Sequence, residues 1–149
     1  LRPRLAVLET TYRPGRLEAV AYSGGVEVGR SGLTTAEGPA RLVATADRST
    51  ISASPSDLAF VSVELRDDEG RLVTGADRAV RVAVSGAGTL AGLCSGNPKT
   101  AERFAADTWR TFDGRLLAVV RPSGPGVITV DVTADDLASV SLAIVATRE

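Results

Sequence analysis

The chain has 149 residues, 44% of them hydrophobic and 23% charged, with a mean hydropathy of +0.09, a composition that excludes intrinsic disorder and leaves room for one ordinary domain or one plus part of another. Its 17 basic and 18 acidic residues are interspersed, so a net charge of -1 supplies no field to hold nucleic acid or an anionic membrane surface. One cysteine, Cys94, excludes an internal disulfide, and the absence of histidine removes the usual zinc and copper ligand sets.

Taken in chain order, residues 4–9 (RLAVLE) put Leu5 and Val7 on one face of a strand. After the turn sequence Tyr12-Arg13-Pro14-Gly15, residues 16–22 (RLEAVAY) do the same with Leu17, Ala19 and Ala21. Ser23-Gly24-Gly25 then turns into Val26, Val28 and a run towards Thr35, which makes a meander of about three strands. Three strands cannot close a sandwich. Glu37-Gly38-Pro39 punctuates the pattern just before a fresh series of strands, and the expected division is residues 1–37 and 38–149.

Beyond the boundary the alternation has period two. It picks out Leu42, Ala44 and Ala46, then Ala59, Val61, Val63 and Leu65, and after the Asp67-Asp68-Glu69-Gly70 turn Val80, Val82 and Val84. A short strand follows around residues 89–93. Leu116, Ala118 and Val120, then Ile128, Val130 and Val132, and finally Val140, Leu142 and Ile144 complete the series. About seven strands spaced by Gly, Pro, Ser or Asp turns predict an all-β, immunoglobulin-like β-sandwich. Helix is limited to one or two turns over residues 100–107 and a brief turn over 134–137. No run of about 18 apolar residues is present to span a membrane as a helix.

Chemistry-bearing residues concentrate in the irregular segment 91–114, which holds the only Trp and two of the three Phe. Glu102, Asp107 and Asp113 are the carboxylates that a two-carboxylate hydrolytic site would draw on, but no partner base, phosphate cradle or nucleophile elbow accompanies them. Asp67-Asp68-Glu69 and Asp135-Asp136 lack the alternating ligand spacing of a calcium loop and read as solvated turn carboxylates. Cys94 sits in a Gly-rich apolar run and reads as a small buried residue. Trp109, with Asn97 and Asp107, is the candidate glycan contact, against the plainer reading of Trp109 as a hydrophobic anchor with Phe104. No catalytic, cofactor-binding or metal-ligating residue is assigned.

The order of motifs resembles the non-catalytic C-terminal region of bacterial family 2 glycoside hydrolases of the β-galactosidase-like group. The segments that carry it are TYRPGRLEAVAYSGGVEV, the junction TAEGPARLVATADRSTI, then DLAFVSVELRDDEGRLV, GAGTLAGLCSGNP and RTFDGRLLAVVRPSGPGVITV. Ahead of Ser95-Gly96-Asn97-Pro98, Cys94 departs from the family's small or apolar residue. The resemblance implies that residues 1–37 are a three-stranded remnant of a preceding small β-domain and residues 38–149 the last, immunoglobulin-like domain. It implies a role beside a catalytic barrel in the same polypeptide, whose catalytic glutamates lie upstream, and no residue here matches their motifs. A carbohydrate-binding module and a bacterial surface or adhesin spacer are the alternatives. Self-association through residues 4–36 is expected from an unpaired sheet edge. The 16 arginines against the single Lys99 point to a GC-rich bacterial source, the chain reads as starting inside a longer parent, and the compartment, cytoplasmic or secreted, stays open.

Overall fold

A computed structural model describes residues 6–148 and divides the chain into two compact units, Leu1–Thr35 and Ala36–Glu149. In the first, β1 (Arg16–Ser23) and β2 (Val26–Thr34) form an antiparallel hairpin. Its two-residue turn is Gly24-Gly25, with φ of +56° and +79°, the left-handed geometry that a tight hairpin requires. Leu17 pairs with Leu33 and Ala19 with Ser31 on one face. Charge gathers on Glu18, which takes Arg16 at 2.6 Å and also Arg30, itself 2.9 Å from Glu27. The expected third strand is not formed: residues 6–9 pair with nothing in a sheet, and Arg4 and Leu5 lie outside the described residues. Among the described residues this unit therefore forms a two-stranded hairpin in place of the expected three strands, and its apolar face is open, with Leu17 60% and Leu33 73% exposed.

The second unit is the expected sandwich, with two more strands than expected. One sheet has the order β3 (Arg41–Ala46), β5 (Ala59–Arg66), β9 (Arg115–Pro122), β7 (Gly88–Cys94). The other has β4 (Thr50–Ser52), β11 (Val140–Thr147), β10 (Gly126–Ala134), β6 (Ala79–Gly86), β8 (Thr108–Arg110). The additions, β4 and β8, span three residues each, too few for alternation to announce them. No helix occurs among the described residues; both expected helical turns are non-helical, with hydrogen-bonded turns at Phe104-Ala105 and Asp135-Asp136.

The alternating residues meet between the sheets. Val61, Val63, Leu65 and Val120 face Val82, Ile128, Val130 and Ile144, all at 0–1% exposure, and each such burial stabilises by about 1.5–3 kcal/mol. Phase is adjusted once, in β7. Leu90 pairs with Val120 and Gly92 with Val119, so Ala91 is an extra residue and the strand bulges there. The bulge turns Leu93 into the core and Cys94 outward beside Leu117. At Asp113-Gly114, both with positive φ, the chain reverses into β9, and a Cβ on Gly114 would lie 2.5 Å from the Val73 carbonyl oxygen.

Asp67 corrects the reading of its turn as wholly solvated, because it is completely buried. Its Oδ2 accepts the Glu37 amide at 3.0 Å and Arg71 Nε at 2.7 Å, and its Oδ1 accepts the Arg71 amide at 2.7 Å. Its carbonyl oxygen also accepts Arg41 Nε at 3.1 Å. Burial alone would raise the carboxyl pKa, but Arg71 and the two amides override it and hold it at about 2, below the ordinary 3.8. Because the folded value is depressed, this stabilisation is complete above 3.8 and is lost as pH falls towards about 2. Asp67→Asn is expected to lower the melting temperature at neutral pH by roughly 10 °C. In thermal melts it also flattens the acid-side decline; an unchanged decline would contradict the assignment.

Candidate functional site

The irregular segment 91–114 folds around Trp109. This residue lies in the middle of β8 opposite Val80 and is 1% exposed. Phe104 covers one side of it, ring centroids 5.4 Å apart and planes at 29°, and the indole Nε1 donates to Ser95 Oγ at 3.2 Å. A buried indole needs such an acceptor. The Leu93 amide donates to the Phe104 carbonyl at 2.9 Å, which fixes the loop to the edge strand β7. Phe104 itself remains 68% exposed, a lid over Trp109 with its outer face to solvent.

This placement corrects the expectation of glycan stacking by Trp109: the indole has no free face, and the residue is the anchor of the loop. Asn97 is partly exposed and its Oδ1 accepts the Lys99 amide at 2.9 Å, a local turn bond. Asp107 is exposed at the edge of the other sheet, where it accepts Thr108 Oγ1 and Arg81 Nε, each at 3.0 Å. These two bonds, Thr108 first, hold its carboxyl below the usual range. Asn97, Asp107 and Trp109 thus have separate partners and do not share a hydrogen bond.

The carboxylates considered for hydrolysis are likewise dispersed. Glu102 accepts Thr100 Oγ1 at 2.6 Å and the Arg110 amide at 2.8 Å, which pins the loop to β8. Asp113 is a turn residue with φ of +50°. No cluster of three metal-ligating side chains occurs among the described residues.

One concavity escaped the sequence reading because it forms only after β7 bulges. A hollow of about 430 Å³ lies on the outer face of the β3-β5-β9-β7 sheet. Ser62, Glu64, Leu117 and Cys94 line it, with Ser95 and Gly96 at the end of β7. Period two marks these positions only as outward-facing, and nothing in the sequence distinguishes an outward hollow from an outward surface.

Residues 42–143 match the family described as glycoside hydrolase family 2 C-terminal domain 5. Over 134 residues the chain is 36% identical to the β-galactosidase BoGH2A of Bacteroides ovatus, covering 89% of this chain and 16% of that protein. A glycosyl hydrolase family 2 member from Bacteroides cellulosilyticus superposes with a TM-score of 0.88 at 32% identity, covering 93% of this chain and 18% of the other. A β-glycosidase from Bacteroides vulgatus shares the fold with a TM-score of 0.78 at 23% identity, over 90% of this chain and 18% of its own.

Trp109→Ala is expected to destabilise the sandwich by about 3–5 kcal/mol in urea unfolding, and Phe104→Ala by only about 1 kcal/mol. Equal losses would contradict the assignment of Trp109 as the principal anchor of the loop.

Proposed function

This chain belongs to the glycoside hydrolase family 2 C-terminal domain 5 family, and we propose that the polypeptide carrying it hydrolyses terminal β-galactosides or related β-glycosides. Within such a polypeptide the chain is a non-catalytic accessory domain, since it corresponds to 16–18% of the relatives' length and to their C-terminal domain. The observation that carries the proposal is 36% identity sustained over 134 residues with a β-galactosidase. The sandwich supports the catalytic barrel or shapes the approach of substrate to it.

In the same proposal residues 1–37 are the C-terminal part of a preceding small β-domain and residues 38–149 the accessory sandwich. The open apolar face at Leu17 and Leu33 supports this, because a hairpin of two strands is marginal alone and asks for further strands or a covering layer. A second copy of the chain is the competing occupant of that hairpin. Light scattering at rising concentration separates them: concentration-dependent association abolished by Leu17→Asp favours the second copy, and a monomer throughout favours strands from the same polypeptide.

The test of activity uses a chromogenic β-galactoside. The full-length polypeptide is expected to turn it over and the 149-residue chain to give only the buffer rate. Turnover by the chain alone would refute the accessory role, and inactivity of the full-length polypeptide on β-galactosides and other β-glycosides would refute the proposed activity.

A further inference from the structure

The two outer faces of the sandwich differ. On the β4-β11-β10-β6-β8 sheet the outward positions are mostly small or polar, with Thr129, Asp131 and Thr133 on β10 and Ser141 and Ala143 on β11, and the exposed Val127–Val145 pair at the start of β10 is the apolar exception. On the β3-β5-β9-β7 sheet an apolar row crosses the middle. Phe60 pairs with Val119 and is 39% exposed, and Leu117 pairs with Ser62 on one side and Cys94 on the other. The hollow opens in this row, where Ser62, Cys94 and Gly96 are too small to fill the space beside Leu117.

Charge surrounds the row. The outward positions of β3, β5 and β9 carry Arg41, Arg66, Arg115 and Arg121 against Glu64. Glu64 is satisfied by Arg66 at 2.6 Å and lies 3.5 Å from Arg115. The face is therefore basic although the chain as a whole has a net charge of -1. An apolar centre with a cationic rim is complementary to a surface that projects an apolar side chain among carboxylates.

We infer that this face is the docking surface for another domain of the same polypeptide, which inserts an apolar side chain into the hollow beside Leu117 and sets acidic residues against the arginine rim. The inference rests on the chain being one domain of a larger polypeptide. That polypeptide is the committed occupant because relatives extend five- to sixfold beyond the matched length, and a domain covalently joined needs no affinity of its own to stay at high local concentration.

Cys94, the only cysteine, lines the hollow and reports on its coverage. Its alkylation by a maleimide, followed by peptide mass spectrometry, is measured in the chain alone and in the full-length polypeptide. Docking is expected to slow labelling at least about tenfold, in proportion to the undocked fraction. Leu117→Glu, an outward substitution, restores the rate of the chain alone, and Val127→Glu on the other sheet's outer face leaves the protection intact. Phe60→Glu is a second variant on the docking face, to be used if Leu117→Glu fails to fold.

Equal labelling in chain and full-length polypeptide overturns the proposal, as does protection lost with Val127→Glu and kept with Leu117→Glu. Protection of the chain alone that grows with its concentration also overturns it, by assigning the face to a second copy. Hydrolysis of the chromogenic β-galactoside is read on the same preparations, so that protection without hydrolysis supports the docking surface while refuting the proposed activity.

Discussion

Phase is the constraint on which the sandwich depends. Two sheets share one core, so every long strand must present alternate residues to the same side, and a slip of one position would exchange its buried and exposed sets. β5, β9 and β10 meet the requirement with uninterrupted alternation, Ala59 through Leu65, Leu116 through Val120 and Ile128 through Val132. β7 meets it only by bulging at Ala91. Without that extra residue Leu93 would point to solvent and Cys94 to the core. The bulge thus secures one large core side chain and, on the opposite face of the same sheet, creates the hollow.

The junction into the sandwich is held by a different kind of force. Asp67 gathers a backbone amide from the entering chain, another from its own turn, and the Arg71 guanidinium. A carboxylate so enclosed tolerates burial because each of its oxygens has a donor. The turn is therefore part of the frame at the start of β3, and its neighbour Glu69 remains at the surface with Arg71.

Much of this was legible in the sequence. Period two located every long strand of the sandwich except β7, and its core face, because burial of one sheet face imposes that period directly. The missed pieces share a cause: β4 and β8 are too short to show a period, the Ala91 bulge breaks the period it would need, and Asp67 looks like its solvated neighbours until the entering chain folds over it. Trp109 shows the same limit for a site. Its residue type suits both a sugar platform and a core anchor, and only the pairing of β8 with β6, under the cover of Phe104, decides for the core. At residues 6–9 the opposite error occurs, alternation without a partner strand to make use of it.

The first stretch of the sandwich is divided between its sheets. β3 runs antiparallel to β5 in one, and after Asp47 clasps Phe60 the chain crosses to lay β4 parallel to β11 in the other. Tension applied between Ala36 and Arg148 would therefore load the β4–β11 hydrogen bonds along the strand direction, in shear and all together. A chain so laced resists being pulled apart far better than it resists peeling from one edge. Resistance to such tension is thus placed in three residue pairs at one edge of the second sheet.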